Sequence, residues 1–192
     1  MDETITLQFD GGSRGNPGPA GIGVVLRAED GTPLVTLGRF IGRATNNVAE
    51  YKALITALQE AKKLGARKVL VRGDSELVVK QMRGEYRVKN PDLRVLYEEA
   101  QDLLAEFDKS KVEHNYRESN ALADKLANLA MDKRRDVTDV DDVPARGGSC
   151  EPAGGGDDLF ATSPVPPVKA AKKPGAAAAP AGPAGIGVVL RA

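Results

Sequence analysis

The chain has 192 residues, enough for one domain with a proper core and too few for two ordinary ones. Basic and acidic side chains both number 27, so nucleic-acid binding, if any, has to come from a local patch and not from bulk charge. The single cysteine, Cys150, excludes an intrachain disulfide and a cysteine-built metal site, and no apolar run is long enough to suggest a signal peptide or a membrane span.

In chain order, "TITLQFD" alternates Ile5, Leu7 and Phe9 against polar neighbours and reads as a strand ending at Asp10. "GIGVVLRA" and "TPLVTLGRFI" read as two further strands joined by "EDG", where Gly31 suits a tight turn. "NNVAEYKALITALQEAKKLG" reads as a helix with an asparagine cap and Gly65 as its stop. "RKVLVRGD" is a short apolar run of the buried, central kind. Two helices follow, "SELVVKQMRG" opened by Ser75 and "NPDLRVLYEEAQDLLAEFD" with Pro91 at its start. "KVEHNY" reads as a last strand, and "SNALADKLANLAMDKRR" as a last helix capped by Ser119 or Asn120. Strands before helices, then alternation, imply an α/β domain with a mixed sheet, antiparallel first and parallel later.

Composition changes near residue 136. Residues 137–192 are dense in Pro, Gly, Ala and Asp, and this predicts a disordered tail after a domain at 1–136. The tail ends in "GPAGIGVVLRA", a copy of residues 18–28. One explanation is that the copy imitates the second strand and pairs with a sheet edge. The others are partial duplication, a truncated second module or an artefact.

Four carboxylates occupy unusual places. Asp10 and Asp74 end strands, where open α/β sheets bind ligands and where Asp is also common for turn and cap reasons alone. Glu50 shares a helix face with Leu54, Ala57, Leu58 and Ala61, so it heads the core-facing stripe. Asp124 lies between Ala123 and Ala127 in an alanine-rich packing helix. A buried carboxylate needs a partner, and no Lys or Arg on the Glu50 face supplies one. The economical arrangement is that the four converge and share divalent cations of the hard, oxygen-preferring kind, Mg²⁺ or Mn²⁺. Two such ions roughly 4 Å apart can activate water and stabilise a departing oxygen in phosphodiester hydrolysis.

The blocks "FDGGSRGNPGP", "GRATNNVAEYKAL", "GDSELVVKQMRGEYRVKNPDL" and "ESNALADKLANLAMD" resemble ribonuclease H type I over about residues 3–133, in its short bacterial and archaeal form. The resemblance implies a ribonuclease H-like fold, a five-stranded mixed sheet flanked by helices. It implies that Asp10, Glu50, Asp74 and Asp124 are catalytic and hold two Mg²⁺ ions, with Mn²⁺ able to substitute. The implied reaction cuts the RNA strand of RNA/DNA hybrids independently of sequence, leaving 5′-phosphate and 3′-hydroxyl ends. Asn16, Asn46 and Asn47 match positions reaching into the minor groove, and Arg43 and Thr45 match a pocket for a DNA-strand phosphate. Gly11, Gly12 and Glu50 match positions that sense the RNA 2′-hydroxyl. A cytoplasmic monomer is expected.

The sequence departs from the pattern in three ways. The only histidine, His114, falls inside the last strand and reads as a satisfied strand residue, while Arg117 takes the loop position and a possible role in product release. Glu76 stands where some relatives have glutamine. The segment from Ser75 to Asp92 is too short for a basic helical protrusion, leaving Arg83, Arg87 and Lys89 as a patch for the hybrid or as an ordinary solvated face. The glycines of "GGSRGNPGP" read as backbone approaching a sugar-phosphate strand; they lack dinucleotide-loop spacing and precede a strand. A non-catalytic binding module of the same fold is the rival reading.

Overall fold

The computed structural model describes residues 4–114 and 120–138. The order is β1 (Thr4–Ser13), β2 (Gly18–Arg27), β3 (Pro33–Ala44), α1 (Asn46–Lys63), β4 (Lys68–Gly73), α2 (Glu76–Met82), α3 (Pro91–Ala105), β5 (Lys109–His114) and α4 (Ala121–Lys133). The expected tail at 137–192 lies outside the described residues from 139 onward, as do the second copy of residues 18–28, Arg117 and Ser119.

The five strands form one sheet in the order β3-β2-β1-β4-β5. β1 and β2, and β2 and β3, pair antiparallel; β1 and β4, and β4 and β5, pair parallel. This is the mixed sheet expected. One boundary differs: β1 does not stop at Asp10 but continues beside β2 to Ser13, pairing Asp10 with Gly23 and Gly12 with Gly21. The β1–β4 ladder stops sooner, at Phe9 opposite Gly73. Asp10 is thus the first residue of β1 beyond the end of β4, and Asp74 the first residue beyond β4 itself.

Local signals explain the helices. Thr45, not an asparagine, caps α1, its hydroxyl accepting from the Val48 amide at 3.3 Å. Gly65 ends α1 at φ +74, a conformation that favours glycine. Ser75 caps α2, and Asn90 caps α3 ahead of Pro91. α1 is buried on more than one face because it lies between the sheet and α3; Ala49, Ala53, Leu54, Ala57, Leu58 and Ala61 are all fully buried.

The two faces of the sheet are packed differently. A large core unites β1, β2 and β4 with α1, α2 and α3, and a small second cluster of Val25, Ala123 and Leu126 lies under α4. On this thinner face the helix rests directly on backbone. A Cβ added at Gly23 would meet the Ala123 carbonyl oxygen at 1.9 Å, and one at Gly38 the Leu126 carbonyl oxygen at 2.5 Å. On the other face a Cβ at Gly11 would meet the Ala49 backbone at 2.3 Å. Gly11 is therefore glycine because α1 passes against it, a physical reason that differs from the approach of a nucleic-acid strand.

After α4 the chain returns to the outer edge of β3, where Val137 and Gly38 exchange two main-chain hydrogen bonds of 2.7 Å.

Gly23→Ala should force α4 outward. Overpacking of roughly 1–3 kcal/mol predicts a fall in melting temperature of about 5–15 °C. Gly12→Ala, whose added Cβ comes no nearer than 3.7 Å to any neighbour, should leave the melting temperature almost unchanged. Thermal melts of the two variants check this.

Candidate active site

Four elements bring one carboxylate each to a single cleft of about 510 Å³. Asp10 comes from the β1 overhang, Glu50 from near the start of α1, Asp74 from the end of β4 and Asp124 from the first turn of α4. Glycine sets the position of Asp124. Asp10 is paired with Gly23, and Gly23 is where the Ala123 carbonyl rests, so the residue after Ala123 is held beside Asp10.

The electrostatics follow from this crowding. Burial, then the charges of Asp74, Asp124 and Glu50, push the Asp10 carboxyl from its ordinary 3.8 up to about 7, against a lowering hydrogen bond from the Gly11 amide. Burial also lifts Glu50; hydrogen bonds from Ser75 and Asn46 oppose that lift, and Asp74 adds to it. The Ser75 hydroxyl donates to Glu50 Oε2, and Asn46 Nδ2 donates to Glu50 Oε1 at 2.9 Å. On α4, Asn128 Nδ2 donates to Asp124 Oδ1 at 3.0 Å and to its carbonyl at 2.9 Å.

Several acids sharing one cleft repel each other, and a set of carboxylate oxygens suits a hard divalent cation. Among the described residues, no three such side chains are already drawn together tightly enough to hold a metal ion. Both oxygens of Glu50 are engaged by neighbours. The donor set fits Mg²⁺ or Mn²⁺.

Of the remaining residues singled out in the sequence, Gly11, Gly12 and Asn46 line the cleft. Asn16 lies outside it but is tied to it, its Oδ1 accepting from the Asn46 amide at 3.3 Å. Arg43 is exposed on β3, Thr45 is spent partly on capping α1, and Asn47 opens α1 without lining the cleft. His114, expected inside the last strand, is the terminal residue of β5, and its Nε2 lies 3.2 Å from the Asp74 carbonyl oxygen. It also lines the cleft, which its strand position did not reveal. Glu76 faces solvent and pairs with Lys80. In the basic patch, Arg83 donates to the Val112 carbonyl at 2.8 Å, while Arg87 and Lys89 are exposed.

Sequence reasoning passed over Ser75 as a partner of Glu50, Asn128 as a partner of Asp124, and Arg14, which reaches the cleft and pairs with Asp132. The (i, i+4) spacing of Asn46 to Glu50 and of Asp124 to Asn128 was the available signal. Nothing local announces Ser75, which is 25 residues from its partner.

The profile of the reverse transcriptase-like family matches residues 8–130. The chain is 50% identical over 143 residues to the protein of Mycobacterium tuberculosis named bifunctional protein Rv2228c, covering 74% of this chain and 39% of that one. The chain therefore spans about two fifths of that relative's length. Among solved structures it resembles the ribonuclease H1 of the halophilic archaeon Halobacterium salinarum, at 48% identity and TM-score 0.67, over 68% of this chain and 98% of that one. It also resembles LC11-RNase H1 in complex with an RNA/DNA hybrid, at 46% identity and TM-score 0.65, over 68% of this chain and 98% of that one. With the sheet order, the four convergent acids and these likenesses together, the chain belongs to the type I ribonuclease H family.

Proposed function

We propose that this chain is an endonuclease that hydrolyses the RNA strand of RNA/DNA hybrids, independently of sequence, leaving 5′-phosphate and 3′-hydroxyl ends. The observation that carries the reading is the convergence of Asp10, Glu50, Asp74 and Asp124 in one cleft, with Asp10 pushed up to about 7 by burial and by the other three. A relative at 46% identity that has been solved with an RNA/DNA hybrid supports the substrate. These four carboxylates would hold two Mg²⁺ ions, or Mn²⁺, which supply an activated water and charge stabilisation at the departing oxygen.

The chain's own residues supply position. Ser75 and Asn46 fix the two oxygens of Glu50, and Asn16 fixes the main chain of Asn46. A hydrogen-bonded line thus runs from the loop after β1, through the start of α1, to a ligand carboxylate. A strand gripping Asn16 and Asn46 in its minor groove would act on the orientation of Glu50 through this line. The main chain at Gly11 and Gly12, both lining the cleft, would read a 2′-hydroxyl, and Gly12 puts no side chain in the way. Arg43 and Thr45 at the end of β3 would take a DNA-strand phosphate, with Asn47 beside them. Arg117, in the proposed product-release role, lies outside the described residues.

Three outcomes are expected. Purified chain with Mg²⁺ should cut only the RNA strand of an end-labelled hybrid, sparing RNA/RNA and DNA/DNA duplexes, and Asp10→Asn should abolish the cutting. Binding of the hybrid without cutting would favour the non-catalytic module instead. Ser75→Ala should leave the fold intact and lower activity about 10–100-fold, as loss of an outer-shell partner does at metal sites.

The third concerns pH. Below about 7 Asp10 carries a proton that a cation has to displace, so half-saturating Mg²⁺ should rise by roughly tenfold per pH unit below that value, for one coupled proton. Without metal, the folded state binds this proton more tightly than the unfolded one, so stability falls as pH rises from about 4 to 7. Asp10→Asn should therefore raise the melting temperature in EDTA at pH 8, and the gain should vanish toward pH 4. A gain independent of pH would contradict the assignment.

A further inference from the structure

Asn120 stands at the N-cap of α4, yet its side chain makes no cap hydrogen bond. It is 1% exposed, and its Nδ2 donates across 111 residues of sequence to the Phe9 carbonyl at 2.8 Å. Phe9 is the last β1 residue paired with β4, and its carbonyl belongs to the peptide unit that carries the nitrogen of Asp10. The other amide atom, Oδ1, is buried with no partner among the described residues. A buried amide has to be satisfied to be retained, and here the donor side is spent on the strand and not on the helix it heads. What it provides is a donor at the peptide bearing Asp10.

We propose that Asn120 is a positioning residue that fixes the separation of Asp10 and Asp124. Asn120, the N-cap, and Asp124, in the first turn of α4, are four residues apart. One end of that turn grips the Asp10 peptide, and the other presents the Asp124 carboxylate. Elsewhere α4 meets the sheet through backbone at Gly23 and Gly38, through the Met131 side chain at Gly21 and Gly12, and through the small cluster around Leu126. These contacts seat the body of the helix. The bond from Asn120 adds a directional tie at its N-terminal end, on the peptide that carries Asp10.

The consequence for cation binding rests on the function proposed above, but the separation of the two acids does not, and the test distinguishes them. Asn120→Ala is compared with Leu126→Ala, which loosens α4 through its small core without touching the Phe9 carbonyl. In EDTA at pH 8, the thermal gain from adding Asp10→Asn reports how strongly Asp10 feels its neighbours. In the Asn120→Ala background that gain should fall to about half or less, while the Leu126→Ala background keeps it. With Mg²⁺, the concentration giving half of the thermal stabilisation should rise roughly tenfold for Asn120→Ala and stay at the wild-type value for Leu126→Ala. Should Asn120→Ala fail to fold, Asn120→Ser, whose hydroxyl can cap α4 but is one bond too short to span to the Phe9 carbonyl, takes its place with the same direction expected. An Asp10→Asn gain of equal size in both backgrounds overturns the proposal. Absence of any Mg²⁺ stabilisation in the wild type would overturn the cation reading alone, and the metal-free comparison would still decide the role of Asn120.

Discussion

The site depends on two helices that each meet the sheet at a glycine, α1 on β1 and α4 on β2, with no side chain between them at that point. At Gly11 the backbone of α1 occupies the space of a missing Cβ, and at Gly23 the backbone of α4 does the same from the opposite face. Side chains would have held each helix further off. Glu50 immediately follows Ala49, the residue that meets Gly11, and Asp124 immediately follows Ala123, the residue that meets Gly23. The same rule places both acids: a glycine admits an alanine's backbone, and the next residue carries the carboxylate. Asp10 lies between the two in the strand frame, next to Gly11 and opposite Gly23.

The arrangement explains why the acids cluster although clustering is costly. Carboxylates repel and resist desolvation, and the rise of Asp10 to about 7 records that conflict. The packing that imposes it is distributed over the large core on one face and the glycine seats on the other, so no single local energy has to compensate for it. Acids that a scaffold holds together against their mutual repulsion form a strong field for a counter-charge.

Much of this was legible in the sequence, and the reasons are specific. Glu50 stood out because helical periodicity places it above Leu54 and Leu58, and both are fully buried. The sheet's mixed character followed from the element order. Other features were hidden for physical reasons. "GGS" reads as loop because glycine is poor in strands, yet here β2 pairs with it through Ser13, and tertiary contact with α1 and α4 overrides propensity. The asparagine cap expected for α1 falls instead to Thr45, a residue type that caps as well and stands one position earlier. Ser75, Asn120 and His114 reach the site or its frame by contacts spanning 25 to 111 residues, which no local pattern encodes.

The return of the chain to β3 has a meaning beyond its two hydrogen bonds. β3 is an outer strand of 12 residues, long enough to recruit a strand from another molecule. Val137 takes the outward-facing N–H and C=O of Gly38 near its middle. What is left on either side is a short segment with its neighbour already occupied. The bridge thereby shortens the run of open main-chain groups along this edge, the feature through which exposed strands recruit others.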